Sequence, residues 1–272
     1  MRPGIFAKTF ARPTLAATLD AVAATGLGEL QFNLALLGGP SLPERVTPEA
    51  CAETRAALSA RGLSMAAVSG TYNMAHPDPA VRERGRRGLA ARFAAAGSRG
   101  TTVVTVCTGT RDPEDMWRAH PANGGAEAWR DMLASMAAAA ETAEAHDVVV
   151  LGLDAERDAV RDAPAARRLL AELRSPSVGI VVDAANLVVP GESQAPVLRA
   201  AFALLGADLV LAHAKDVRRD GTVVAAGAGT LDYGLYVELL EAAGYTGPLV
   251  LHGLAEHEVP DAVAFLRLQL GE

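Results

Sequence analysis

The strongest constraint on the fold of this chain is a repeated alternation of two kinds of segment. Short runs rich in β-branched residues alternate with longer segments rich in alanine, leucine and arginine, and there are eight such pairs. The predicted strands are Gly4–Phe10, Gly28–Leu34, Leu63–Val68, Thr101–Thr108, Val148–Asp154, Ser177–Asp183, Ala207–His213 and Pro248–His252. The predicted helices lie near Thr14–Thr25, Thr47–Arg61, Pro79–Gly97, Gly125–His146, Asp158–Arg174, Gln194–Leu205, Gly234–Ala243 and Glu258–Leu270. Eight strand–helix pairs in 272 residues predict an α/β protein, a single closed (β/α)₈ barrel.

Several predicted strands are continuous apolar runs, such as Val148–Leu151 and Leu209–Leu211. This pattern is typical of parallel strands that are covered on both faces. A doubly wound open sheet is the alternative. However, the first strand–helix turn, Phe6–Ala11, contains no glycine and lacks the fingerprint of that fold. We therefore expect one barrel domain over residues 1–272.

The charge and cysteine content exclude several classes of function. A net charge of −7 without a long basic run disfavours nucleic-acid binding, which depends on phosphate contacts. The two cysteines, Cys51 and Cys107, form no CxxC pair, so a reducing compartment is expected. We find neither a signal peptide nor an apolar run of about 18 residues that would span a membrane. The sequence thus predicts a cytoplasmic protein that binds neither nucleic acid nor membrane.

Lysine is almost absent from the basic residues of this chain. Of 25 basic residues, Lys8 and Lys215 are lysine and the rest are arginine. An ammonium group is compact and can lose its proton, whereas a guanidinium group practically cannot. The chain thus uses arginine at nearly all of its basic positions. At the two positions that have lysine, we expect that arginine would not serve.

Polar residues follow the predicted strands at the end where a (β/α)₈ barrel carries its active site. Alternation along strands five to eight can direct Asp154, Asp183, His213 and His252 at one point. Two carboxylates and two imidazoles suit a divalent ion such as Mn²⁺, Zn²⁺ or Fe²⁺. The alternative is that such an aspartate caps the next helix and such a histidine is only hydrogen-bonded.

Five motifs in order along the chain resemble a known superfamily. They are Ser69–Pro77, Cys107–Thr110 with Trp117 and His120-Pro121, Val182–Leu187, His213–Asp216 and Gly227–Tyr233. Through them the chain resembles the sugar isomerase/epimerase superfamily with the xylose-isomerase-like TIM barrel. His-x-Lys-Asp followed by Gly-x-Gly-x-Leu-Asp-Tyr is the most specific pair of motifs.

The resemblance implies one divalent ion, with Mn²⁺ favoured and Zn²⁺, Fe²⁺, Co²⁺ or Mg²⁺ also compatible. In that superfamily Glu, Asp, His and Glu hold the ion. By resemblance these roles fall on Asp154, Asp183, His213 and His252. Asp154 is a shortened carboxylate, which Glu156 could replace, and His252 stands where the family has glutamate. The proton shuttle of two metal-bound glutamates in the family's ketose epimerases therefore cannot be transferred to this chain.

Further residues are candidates for catalysis or substrate binding. The candidate acids and bases are Lys215, His252, Glu156 and Asp216. Lys8 could bind a hydroxyl, carboxylate or phosphate of a substrate, or could form a salt bridge across the barrel mouth. The other candidate substrate-binding residues stand in the strand-end motifs or in the long excursion 112–125 after the fourth strand, and they are Asn73, His76, Trp117, His120 and Asn186.

These features favour an enzyme of carbohydrate metabolism acting on a small polyhydroxylated substrate. The expected activity is a metal-dependent isomerase or epimerase of a small sugar, polyol or sugar acid, with a metal-polarised carbonyl and proton or hydride transfer. The alternatives are a lyase or dehydratase on a similar substrate, a Schiff-base aldolase built on Lys8 or Lys215, and a catalytically degenerate ligand-binding barrel. The sequence is also compatible with a homo-oligomer. A DNA-repair endonuclease of the same superfamily disagrees with the charge of −7 and the six histidines.

Overall fold

The barrel expected from the alternation is the fold of the protein. A computed structural model describes residues 1–96, 100–146, 149–152 and 158–272. Eight parallel strands close into a barrel, in which the first strand pairs with both the second and the last. These strands are β1 (Arg2–Phe6), β2 (Glu29–Phe32), β3 (Ser64–Ser69), β4 (Val103–Val106), β5 (Val149–Gly152), β6 (Val178–Asp183), β7 (Leu209–Ala214) and β10 (Pro248–Leu251). A short antiparallel hairpin, β8 (Asp216–Val217) and β9 (Val223–Val224), follows β7 and was not predicted.

Helices follow the strands and cover the outside of the barrel. They are α1 (Leu15–Ala24), α2 (Pro48–Ser59), α3 (Pro79–Ala96), α4 (Ala126–Glu144), α5 (Ala163–Leu173), α6 (Ala184–Leu187), α7 (Gln194–Leu205), α8 (Tyr233–Ala242) and α9 (Val259–Gln269). Within the described chain, no helix combines the length and the apolar character that crossing a membrane requires.

Side-chain caps explain where several helices begin. The hydroxyls of Thr14 and Thr47 accept backbone N–H bonds at the starts of α1 and α2. The predicted start of the fifth helix at Asp158 is wrong, because Asp162 supplies the N-cap of α5 instead. Asp158 is buried, and its carboxylate accepts hydrogen bonds from the backbone of Thr108 and Gly109 at the end of β4.

The inside of the barrel shows the alternation expected for strands. Ala67, Val181, Leu211 and Val250 form a small buried cluster that is separate from the larger core under the helices. Two residues further along β6 and β7 come Asp183 and His213, which pair directly in the strand register, and two residues beyond Val250 comes His252. An apolar floor therefore lies beneath a polar layer at the carboxyl-terminal end of the barrel. This polar layer is the place to look for a functional site.

Candidate active site

The carboxyl-terminal ends of the strands surround a cavity of about 260 Å³. Among the described residues, its walls come from β1, β2, β3, β4, β6, β7 and β10 or the loops that follow them, including the long loop after β4. The lining side chains are Phe6, Lys8, Gln31, Asn33, Ser69, Thr71, Thr105, Val106, Trp117, Val181, Asp183, His213, Lys215 and His252. A concave site at this end of the barrel is the position that substrates occupy in enzymes of this architecture.

A buried ion pair lies at the base of the cavity. Lys215 Nζ is 3.2 Å from Asp183 Oδ2, and the two side chains are 10% and 2% exposed. The other carboxylate oxygen of Asp183 accepts the backbone N–H of Ala185 at 3.1 Å, so this residue also caps α6. Burial raises the pKa of Asp183, whereas the Lys215 ammonium lowers it. The two residues therefore depend on each other for their charge state.

A chain of two hydrogen bonds orients His213 beside this ion pair. His213 Nε2 lies 2.9 Å from Gln31 Oε1, and Gln31 Nε2 donates to Thr105 Oγ1 at 3.3 Å. Because an amide oxygen only accepts, this contact places the imidazole proton on Nε2 and leaves the lone pair on Nδ1. Nδ1 faces Asp183 Oδ2 at 3.9 Å. Burial, with the nearby His252 and Lys215, holds the pKa of His213 well below its ordinary value, so the ring is neutral.

Three rings form a stack along one wall of the cavity. His252 lies between Phe6, at a centroid distance of 5.1 Å, and His213, at 4.9 Å. Its ring is inclined by 8° to Phe6 and by 17° to His213. The apolar ring of Phe6 therefore fixes the orientation of His252, whose edge remains part of the cavity lining.

The geometry fits two ligands of the divalent ion that the resemblance implies. His213 Nδ1 and Asp183 Oδ2 lie 3.9 Å apart, and an imidazole and a carboxylate are both ligands that such an ion accepts. The ring of His252 is stacked nearly parallel on that of His213. The lone pairs of the two rings therefore lie in nearly parallel planes and do not converge on one ion. Among the residues that the structure describes, no three candidate ligands form a cluster. Asp154 and Glu156 lie outside the described residues.

Four of the predicted substrate-binding residues lie outside the cavity lining. Asn73 accepts the backbone N–H of Thr110 and donates to the carbonyl of Asp112. His76 contacts the carbonyl of Pro113 and accepts the N–H of Asp78. His120 caps the 3₁₀ turn Pro121–Gly124, and Asn186 is buried in α6. The first three side chains organise loops, whereas Lys8 and Trp117 do line the cavity, where Trp117 is 48% exposed at the rim.

The motif from Asp216 to Tyr233 holds the loop after β7 in place. Both carboxylate oxygens of Asp216 accept backbone N–H groups, those of Val217, Gly227 and Leu231. A Cβ on Gly229 would lie 2.2 Å from Asp216 Oδ1, so only glycine fits there. The Tyr233 hydroxyl donates to the carbonyl of Lys215 at 2.9 Å. The motif therefore positions Lys215, and the Asp216 carboxylate is occupied by the backbone.

Gln31, Phe6 and Thr105 also line the cavity and were not among the site residues predicted from the sequence. A signal for Gln31 was present in the sequence. Gln31 in β2 and Asn33 just after it alternate with the apolar Leu30 and Phe32, and both polar side chains line the cavity.

Several solved structures share this fold over nearly the whole chain. The 3-keto-D-glucoside 4-epimerase of E. coli has a TM-score of 0.77 at 18% identity, covering 98% of this chain and 99% of that one. The D-psicose 3-epimerase of Clostridium cellulolyticum H10, with D-tagatose, has a TM-score of 0.74 at 16% identity, covering 99% of each chain. An L-ribulose 3-epimerase has a TM-score of 0.75 at 18% identity, covering 99% of this chain and 94% of that one.

At these identities the structural similarities show the fold alone. No curated protein sequence matches the chain. A family model, described as the xylose isomerase-like TIM barrel, matches residues 19–269. With a match over nearly its whole length, the chain belongs to the xylose isomerase-like TIM barrel family.

Proposed function

We propose that this protein is a single-domain isomerase or epimerase of a small polyhydroxylated ketose. The observation that carries the proposal is the convergence of Asp183, His213, Lys215 and His252 on one cavity at the carboxyl-terminal end of the barrel. They supply a buried carboxylate, a buried ammonium and two imidazoles, which are the groups that proton transfer next to a carbonyl requires. Structural neighbours that are sugar epimerases support the same class of substrate.

In this proposal, His252 moves the proton at the carbon beside the substrate carbonyl. Phe6 and His213 hold its ring in one orientation, and its edge reaches the cavity. Lys215 carries the positive charge nearest the buried carboxylate. It stabilises the negative charge that develops on the carbonyl oxygen when the proton leaves. The Val181 and Val106 side chains in the lining limit the water that can reach the reacting carbon.

Asp183 and His213 would hold a divalent ion. Such an ion, with Mn²⁺ favoured, would polarise the substrate carbonyl when bound. Gln31 prepares this pair, because its bond to His213 Nε2 keeps the Nδ1 lone pair directed at Asp183. Metal content of the purified protein, measured by plasma mass spectrometry on wild type, Asp183→Ala and His213→Ala, tests this part. A wild type that stays metal-free after incubation with Mn²⁺, Zn²⁺, Fe²⁺ and Co²⁺ would overturn it.

The decisive test of the activity is hydrogen exchange at carbon. We expect the wild type to catalyse deuterium uptake from D₂O beside the carbonyl of a ketose, followed by NMR across a panel of ketoses. His252→Gln should slow the exchange about 10²-fold or more. The matched control is His257→Gln, since His257 lies in the 3₁₀ turn before α9 and away from the cavity. The absence of both exchange and product with every ketose would leave a ligand-binding barrel.

A further inference from the structure

The two lysines of the chain line the same cavity. Lys8 lies in the 3₁₀ turn Ala7–Thr9 that follows β1, and Lys215 directly follows β7. The other 23 basic residues are arginine. Residues 207 positions apart are thus brought together by the closed barrel at the one place where lysine is kept. Because arginine serves elsewhere in this chain, the cavity is where a compact ammonium group is needed.

The two lysines differ in what surrounds them. Lys215 is buried, and its ammonium is bonded to Asp183. Lys8 is exposed, at the mouth of the cavity. Among the described residues, no carboxylate forms an ion pair with Lys8, whereas Asp183 pairs with Lys215. The Lys8 ammonium is therefore available to a ligand at the mouth of the cavity.

A positive charge at the mouth of a cavity selects ligands that carry a negative group. Building on the proposed function, we propose that the substrate is an anionic ketose, a sugar acid or a sugar phosphate, and that Lys8 binds its carboxylate or phosphate. The ion pair with Asp183 holds Lys215 beside the carbonyl end of the substrate. Lys8 is then the lysine that can contact the opposite end of the substrate. The exposed position of Lys8 suits a terminal group that still faces water when the sugar ring is bound.

Three matched ketoses test this assignment, because they differ only at C6. D-Fructose carries a hydroxymethyl group, D-fructuronate a carboxylate and D-fructose 6-phosphate a phosphate. Binding can be followed directly on the lysines. Reductive ¹³C-methylation keeps their charge and gives one NMR signal for each of two lysines and one for the terminal amine. We expect an anionic ketose to shift the Lys8 signal and to bind at least about tenfold more tightly than D-fructose.

The test variant is Lys8→Gln, which removes the positive charge at the mouth of the cavity. The matched control is Arg12→Gln, which removes a positive charge four residues further along, outside the cavity lining. Arg12 pairs with Glu256 on the surface, with nitrogen–oxygen distances of 2.8 and 2.5 Å. Lys8→Gln should weaken binding of the preferred anion about tenfold more than binding of D-fructose. Arg12→Gln should leave the preference as in the wild type. The better of the two anions identifies the carboxylate or the phosphate as the group that Lys8 binds.

The outcomes separate this inference from the proposed function. Equal binding of the three ketoses, or a Lys8 signal that neither anion shifts, overturns the inference. Deuterium exchange on D-fructose as fast as on both anions also overturns it and leaves the epimerase standing. Binding of an anion that depends on Lys8, without exchange or product on any ketose, supports the anion site at Lys8 and overturns the epimerase.

Discussion

Two groups of buried polar side chains at the carboxyl-terminal end of the barrel make a useful comparison. After β3 and β4, Asn73, His76 and Asp112 bond to backbone groups of the loop after β4. After β6 and β7, Asp183 and Lys215 bond to each other and face the cavity. Both groups include a buried aspartate at this end of the barrel, but the partners differ. Asp112 bonds to the backbone of its own loop, whereas Asp183, which also caps α6, pairs with Lys215 at the cavity. Polar groups that satisfy backbone are part of the fold, whereas polar groups that contact one another around a cavity are available for chemistry.

The largest effect is expected from breaking the ion pair. Asp183→Ala removes the carboxylate that the buried Lys215 ammonium contacts at 3.2 Å. We therefore expect the free energy of unfolding to fall by about 3–5 kcal/mol and the deuterium exchange to be lost. The double variant Asp183→Asn, Lys215→Met replaces both charges. It should recover most of the stability in urea unfolding and none of the exchange. A double variant that regains exchange would show that the pair belongs to the fold alone.

Removing the Gln31 contact should affect chemistry more than stability. Gln31→Met keeps the volume and loses both hydrogen bonds, which costs about 1 kcal/mol of stability, while metal affinity and exchange fall about 10–100-fold. Nitrogen NMR shifts of the His213 ring report its tautomer directly. Thr105→Val is the matched control, because it removes the outer hydrogen bond and leaves the Gln31–His213 contact. An unchanged His213 tautomer in Gln31→Met would contradict the positioning role.

In the loop group, Asp112→Asn should change stability and its pH dependence. Hydrogen bonds from the backbone N–H groups of Asp115 and Glu114, with the Arg118 charge, hold the pKa of Asp112 below its ordinary value of 3.8. A depressed pKa stabilises the fold above that ordinary value, and the contribution is lost as pH falls through the folded pKa. The wild type should therefore unfold at a higher temperature than Asp112→Asn at neutral pH. This difference should shrink as the pH falls below 3.8 and vanish once the Asp112 carboxyl is protonated in the folded protein. A difference that persists in acid would contradict this origin.

The smallest effect on stability is expected at Trp117, which the loop after β4 carries to the cavity rim. Trp117→Ala should change the free energy of unfolding by about 0.5 kcal/mol or less, since nearly half of the side chain is exposed. The KM for the preferred ketose should rise while kcat changes little, because the residue walls the cavity without reaching the ion pair. A fall in kcat with an unchanged KM would move Trp117 out of a binding role.

The sequence predicted the barrel and the inward positions well, because both depend on local periodicity. The strand bounds differ by a few residues, and Asp183, His213 and His252 stand where alternation placed them. The partners of polar residues could not be predicted. Whether His76 contacts a loop carbonyl or a cavity depends on how two loops meet, which no spacing within one segment encodes. The strand-to-strand register likewise decides that Lys215 contacts Asp183.

The pairing of β1 with β10 has a consequence for how the protein becomes active during synthesis. Ile5 in β1 pairs with Leu251 in β10. One edge of β1 therefore stays unpaired until β10, near the other end of the sequence, has been synthesised. Contacts so distant in sequence form late and leave an open edge that can join other chains. Lys8 and His252 stand just beyond these two strands, so the same event that closes the barrel assembles the cavity. A nascent or trapped chain with an open barrel would have no complete site, and activity would report completed folding.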